Sequence, residues 1–186
     1  MEHTKHLYLY DFASFTITEV YKNLPELQTL HIQNVEDFSI ENFRVVAQRL
    51  LSYRGLVHLG FELTSFDLDD VKEEFFQILR THSDTLTHLY IGRNKVSNAF
   101  MKEMCENITE VNNLDTLDLT HVKEAAKIVW PDYLGSIAKL SKNRQGNPVR
   151  VVLSDYQTRT KHKIFQEYLS SEKPNIEIFY QVTPLT

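Results

Sequence analysis

The sequence has a single cysteine, five glycines and five prolines in 186 residues, and each scarcity excludes something. One thiol, Cys105, cannot form an internal disulfide, and small extracellular domains commonly depend on disulfides, so an intracellular setting, cytoplasmic or nuclear, is expected. With so few glycines, a backbone cradle for nucleotide phosphates is hard to build. GxSxG, HExxH, paired CxxC and the glycine-rich phosphate loop are all missing, so a protein that is not an enzyme and carries no cofactor is expected. No apolar run approaches the roughly 18 residues that span a bilayer, and no membrane association is expected. The opening MEHTKHLYLYDF lacks the basic and continuously apolar regions of a secretory signal.

The net charge of −5 is unevenly spread. Residues 1–122 hold 10 Lys/Arg against 19 Asp/Glu, whereas 123–163 hold 9 against 3. This mild acidity speaks against a nucleic-acid binder with a basic surface. Lys139, Lys142, Arg144, Arg150, Arg159, Lys161 and Lys163 form a secondary candidate contact surface, with solvated charge as the plainer reading. The acidic run Asp67, Asp69, Asp70, Glu73 and Glu74 opens a helix, where negative charge favours the macrodipole. It lacks the EF-hand glycine that calcium binding would need.

What the chain does have is a pattern. Leu27-x-x-Leu30-x-Ile32, Leu56-x-x-Leu59-x-Phe61, Leu86-x-x-Leu89-x-Ile91 and Leu114-x-x-Leu117-x-Leu119 share one spacing, their middle anchors 29, 30 and 28 residues apart. Looser copies occur at Leu7-x-Leu9, Val151-x-Leu153 and Ile176-x-Ile178. Between these strands lie segments of helical periodicity: Phe43, Val46, Ala47, Leu50 and Leu51; then Val71, Phe75, Ile78 and Leu79; then Phe100, Met104 and Ile108. Ser39, Asp67 and Ser97 precede them as N-caps. Further helices are expected over 132–144, after Trp130-Pro131, and around 161–170. Cys105 falls on an apolar helix stripe and reads as core.

The LxxLxL pattern resembles the leucine-rich repeat, and the repeat length with full helices resembles the ribonuclease-inhibitor-like class. The expectation from that resemblance is an α/β fold: a right-handed leucine-rich-repeat solenoid with parallel strands on the concave face and helices on the convex face. It makes residues 1–186 one domain of about seven strand rungs. The first strand starts six residues in with nothing upstream to cover it, so a longer chain, or another chain over the N-terminal edge, is expected. LPELQTLHI and LRTHSDTLTHLYI also resemble repeats of F-box and cullin-ligase receptors.

Because strand side chains alternate, residues between the anchors share the opposite face and line up in rows. One row is His6, Thr29, His58, His88 and Thr116; a second is Tyr8, His31, Gly60, Tyr90, Asp118 and Val152. A third is Tyr10, Gln33, Glu62, Gly92, Thr120 and Ser154, with Asp11, Asn34, Arg93, His121 and Asp155 beyond. Rich in tyrosine and histidine and poor in lysine, this face has the composition of a protein-binding surface. The candidate binding residues are Tyr8, His31, His58, Glu62, His88, Tyr90, Arg93, Asp118 and His121. The plainer reading is a solvated sheet face. His58 and His88 are adjacent, but a flat row does not converge on a metal, so no metal site is expected. Asn107-Ile108-Thr109 matches a glycosylation sequon and is discounted because it lies within a helix.

Three functions follow as expectations. The first is a protein-interaction scaffold, which the resemblance narrows to the substrate-recognition domain of a ubiquitin-ligase receptor. The second is a structural or assembly subunit docked permanently in a larger complex. The third, a GTPase-activating role, would need a catalytic Asn or Arg beyond what Arg93 and Asn94 offer.

Overall fold

The computed structural model describes residues 4–11, 21–36, 38–124, 149–154 and 176–181. Its framework is one sheet of seven parallel strands: β1 (His6–Tyr10), β2 (Thr29–Gln33), β3 (His58–Glu62), β4 (His88–Tyr90), β6 (Thr116–Asp118), β8 (Val149–Ser154) and β9 (Ile176–Gln181). They lie side by side in chain order, and each described pair is parallel. The short strands β5 (Lys95–Val96) and β7 (Lys123–Glu124) pair separately. The sheet is accompanied by the α-helices α1 (Ile40–Leu51), α2 (Lys72–Thr81) and α3 (Asn98–Ile108) and a 3₁₀ segment over Leu68–Val71.

The leucine spacing determines the core. Leu30, Leu59, Leu89, Leu117 and Val151 meet in register along the sheet. All are fully buried, as are the anchors before and after them, from Leu27 and Ile32 to Leu114 and Leu119. Against this row pack the apolar stripes of the helices: Phe43, Val46, Ala47 and Leu50 from α1, Phe75, Phe76, Ile78 and Leu79 from α2, and Phe100, Met104, Cys105 and Ile108 from α3. Aromatic rings join helix to sheet, with Phe43 5.0 Å from Phe61, and helix to helix, with Phe75 5.6 Å from Phe100. Burial pushes the Cys105 thiol up to about 12, so it stays protonated and acts as a small apolar group.

Helix starts follow local chemistry. Ser39 and Ser97 are N-caps whose hydroxyls accept from the N–H groups of Asn42 and Phe100. Asp67 is not a helix cap of that kind. It precedes a 3₁₀ turn over Leu68–Val71 that leads into α2, makes no side-chain capping bond, and pairs with Lys95 instead. Asp69 on that turn accepts from the backbone N–H and hydroxyl of Ser97, tying the start of α2 to the start of α3.

These features correct the expectation of a ribonuclease-inhibitor-like leucine-rich-repeat solenoid with concave strands and convex helices. A horseshoe of that kind repeats one strand–helix unit. The described residues show three α-helices against a seven-stranded parallel sheet. No two of their helix-bearing connections are alike: one is a capped helix, one enters through a 3₁₀ turn, and one inserts β5 first. The physical reason is that a period near 30 residues is also the length of an ordinary strand–helix–strand crossover. Buried anchors at LxxLxL spacing report parallel strands over a common core, and they do not identify a repeat family. Neither leucine-rich repeat nor solenoid describes this fold, and the likeness to F-box and cullin-receptor repeats falls with them.

No helix among the described residues is long and apolar enough to cross a membrane. The helices expected over 132–144 and 161–170 lie outside the described residues, as do all the basic candidates except Arg150.

Candidate functional site

On the sheet face opposite the helices, strand register forms rows of side chains. His6, Thr29, His58, His88, Thr116 and Arg150 are successive partners, and so are Tyr8, His31, Gly60, Tyr90, Asp118 and Val152. Tyr10, Gln33 and Glu62 form a third row. The sequence reading ended the first row at Thr116 and so missed Arg150. The irregular connection before β8 hides that register.

Gly60 organises the centre. A Cβ there would stand 2.4 Å from His31 Cδ2, so only glycine lets the imidazole lie across β3. The ring thereby reaches Tyr90, two strands away, and stacks on it at 5.1 Å with 15° between planes. Its Nε2 lies 2.6 Å from Glu62 Oε2, and its Nδ1 lies 3.1 Å from the Tyr10 hydroxyl. With Nε2 carrying the proton, His31 donates to the carboxylate and accepts from tyrosine, so Tyr10, His31 and Glu62 form one chain. Gly92 has a matching role for the acid, since a Cβ there would meet Glu62 Oε1 at 2.9 Å.

Around this chain is a groove of about 390 Å³ lined by Tyr8, Tyr10, Thr29, Leu30, His31, His58 and Tyr90. Tyr8 and Tyr10 are 49% and 44% exposed, the exposed large hydrophobic side chains among the described residues. Beside the groove, His58 and His88 have ring centres 4.3 Å apart. Burial lowers the affinity of both for protons; His88 lowers that of His58 further, while at His88 the charge of Asp115 opposes the effect and Arg150 adds to it. Burial also makes Asp118 harder to ionise, with Glu62 adding to the effect and the N–H and hydroxyl of Thr120 opposing it.

The Tyr10–His31–Glu62 chain resembles a proton relay, yet it does not prepare a nucleophile. Burial, then Tyr8 and Glu62, push the ionisation of Tyr10 upward rather than down. Among the described residues, no group of three or more His, Cys, Asp or Glu side chains is placed to hold a metal.

Of the nine candidate residues, the structure brings Tyr8, His31, His58 and Tyr90 to the groove, with Glu62 against its wall and His88 and Asp118 flanking it. Arg93 and His121 are not part of this cluster. They sit past the ends of β4 and β6 in left-handed backbone conformation, φ 60° and 52°, as do Asp11, Asn34 and Leu63 beyond β1, β2 and β3. The selection missed Tyr10, although it stood in the third row, and missed Gly60. The available signal for Gly60 was its place between His31 and Tyr90, two residues before Glu62; Tyr10 carried only its outward position at the strand end. Searches against protein-family models and against curated proteins find no match for the chain.

Proposed function

We propose that this chain is a non-enzymatic protein-recognition domain whose contact surface is the sheet face centred on His31 and Tyr90. The observation that carries the reading is that Tyr8 and Tyr10, the exposed large hydrophobics, converge on one groove whose aromatic walls are already fixed. Rigid tyrosines with few rotatable bonds suit recognition, because little side-chain entropy is lost on binding. His31 is held by Gly60, Glu62, Tyr10 and Tyr90, so the central wall is organised before a partner arrives.

Affinity purification with mass spectrometry tests the reading, comparing the native chain with a His58→Glu, Tyr90→Glu variant of equal thermal stability. Partners lost only from the variant support it, and an unchanged partner set contradicts it.

A further inference from the structure

We infer that the groove takes an arginine side chain from a basic peptide segment of the partner. This rests on the reading of the face as a protein-contact surface, and it specifies what that surface selects.

Three observations converge. The groove is lined by four aromatic side chains, Tyr8, Tyr10, Tyr90 and His31, around an open volume of about 390 Å³. A planar guanidinium stacks on the faces of such rings and is attracted by their negative π-density. Behind one wall are two acids. Glu62 is bonded to His31, which stacks on Tyr90, and Asp118 is the strand neighbour of Tyr90.

Among the described residues, no lysine or arginine stands in the central rows beside those acids. The hydrogen-bond partner of Glu62 is a histidine and those of Asp118 are the Thr120 N–H and hydroxyl. The cation on these rows is Arg150, in the first row beside Thr116 and one row removed from Asp118. The field at the groove is thus negative and screened little, since Glu62 is 9% exposed. The sequence over residues 1–122, which supplies every groove residue, holds 19 acids against 10 bases. An acidic or phosphorylated partner would meet repulsion here. A purely apolar one would leave the acids uncompensated. Arginine matches both ring and charge, whereas lysine offers no planar face to stack.

The test is selection of random nonapeptides displayed on phage against the full chain, followed by fluorescence polarisation of labelled synthetic copies. The expected result is enrichment of arginine in the selected peptides, with affinity falling at least tenfold when that arginine is replaced by citrulline. Citrulline keeps the plane and removes the charge. Affinity should fall similarly in Glu62→Gln and Asp118→Asn proteins whose melting is unchanged. Selected peptides that bind equally well with citrulline, yet lose binding to Tyr90→Glu protein, overturn the arginine assignment and leave the contact face standing. Peptides indifferent to Tyr90→Glu overturn both, and a selection that yields no binders overturns the arginine assignment.

Discussion

The imidazole of His31 lies over Gly60, close enough that one added methyl group would stand 2.4 Å from its Cδ2. Gly60→Ala should therefore swing the ring away, separating it from Glu62 and from the Tyr90 face. Overpacking of this kind destabilises by about 1–3 kcal/mol, and urea denaturation reads it directly. Partner binding at the groove should weaken more than the stability change alone accounts for. A Gly60→Ala protein with native binding would show that His31 is not a structural element of the site.

His82 supplies a pH dependence of stability. It is 1% exposed, with Nε2 3.0 Å from the Leu50 carbonyl and Nδ1 accepting from the Leu56 N–H at 3.3 Å. The ring is thus a neutral tautomer, and burial holds its pKa below the ordinary 6.5. His58 and His88 are shifted in the same direction. A histidine whose folded pKa is depressed binds fewer protons folded than unfolded. Stability is therefore highest above pH 6.5 and declines as pH falls below it. Urea midpoints measured between pH 5 and 8 should show that fall, and His82→Asn should reduce its slope. A midpoint flat across that range would contradict the assignment.

Asn94 is 1% exposed and bridges neighbouring turns. Its amide donates to the Phe61 carbonyl and, at 3.1 Å, to that of Ile91; its oxygen accepts at 2.9 Å from both the N–H and the hydroxyl of Thr64. Asn94→Ala strands several buried groups at once, and each unsatisfied group costs about 1–3 kcal/mol. The expected loss is several-fold larger than that from an exposed substitution such as Gln48→Ala, checked by thermal melting. Losses of similar size would contradict this role.

The helix starts allow a paired comparison. Ser97→Ala removes a side-chain cap and should cost about 0.5–2 kcal/mol. Asp67→Ala removes only an exposed pair with Lys95, which solvent screens and which contributes little. Chemical denaturation of the two variants should rank Ser97→Ala as the more damaging, and the reverse order would contradict the assignment of caps.

Those two residues also show what was legible in the sequence. Serine three residues before a helical N–H signals a cap locally, so Ser39 and Ser97 could be read directly. Asp67 carries the same signal, but the chain turns through a 3₁₀ segment, and its carboxylate finds Lys95. The core was legible because Leu30, Leu59, Leu89 and Leu117 repeat a spacing that only a shared buried row satisfies. The fold family was not, because that spacing belongs to parallel crossovers in general. The candidate site was legible as rows of residues and not as contacts. That His31 bridges to Tyr90 depends on the missing side chain of Gly60, and that it binds Glu62 depends on diagonal placement between rows. Single-residue patterns do not encode either relationship.

The most direct test of the contact face is site-specific photocrosslinking in cells. A benzophenone amino acid replaces Tyr8 in one protein and Gln48, exposed on α1, in another. Reproducible adducts with the same partner from position 8, absent from position 48, are the predicted result. Adducts from position 48 with none from position 8 would place recognition on the helices and contradict the account.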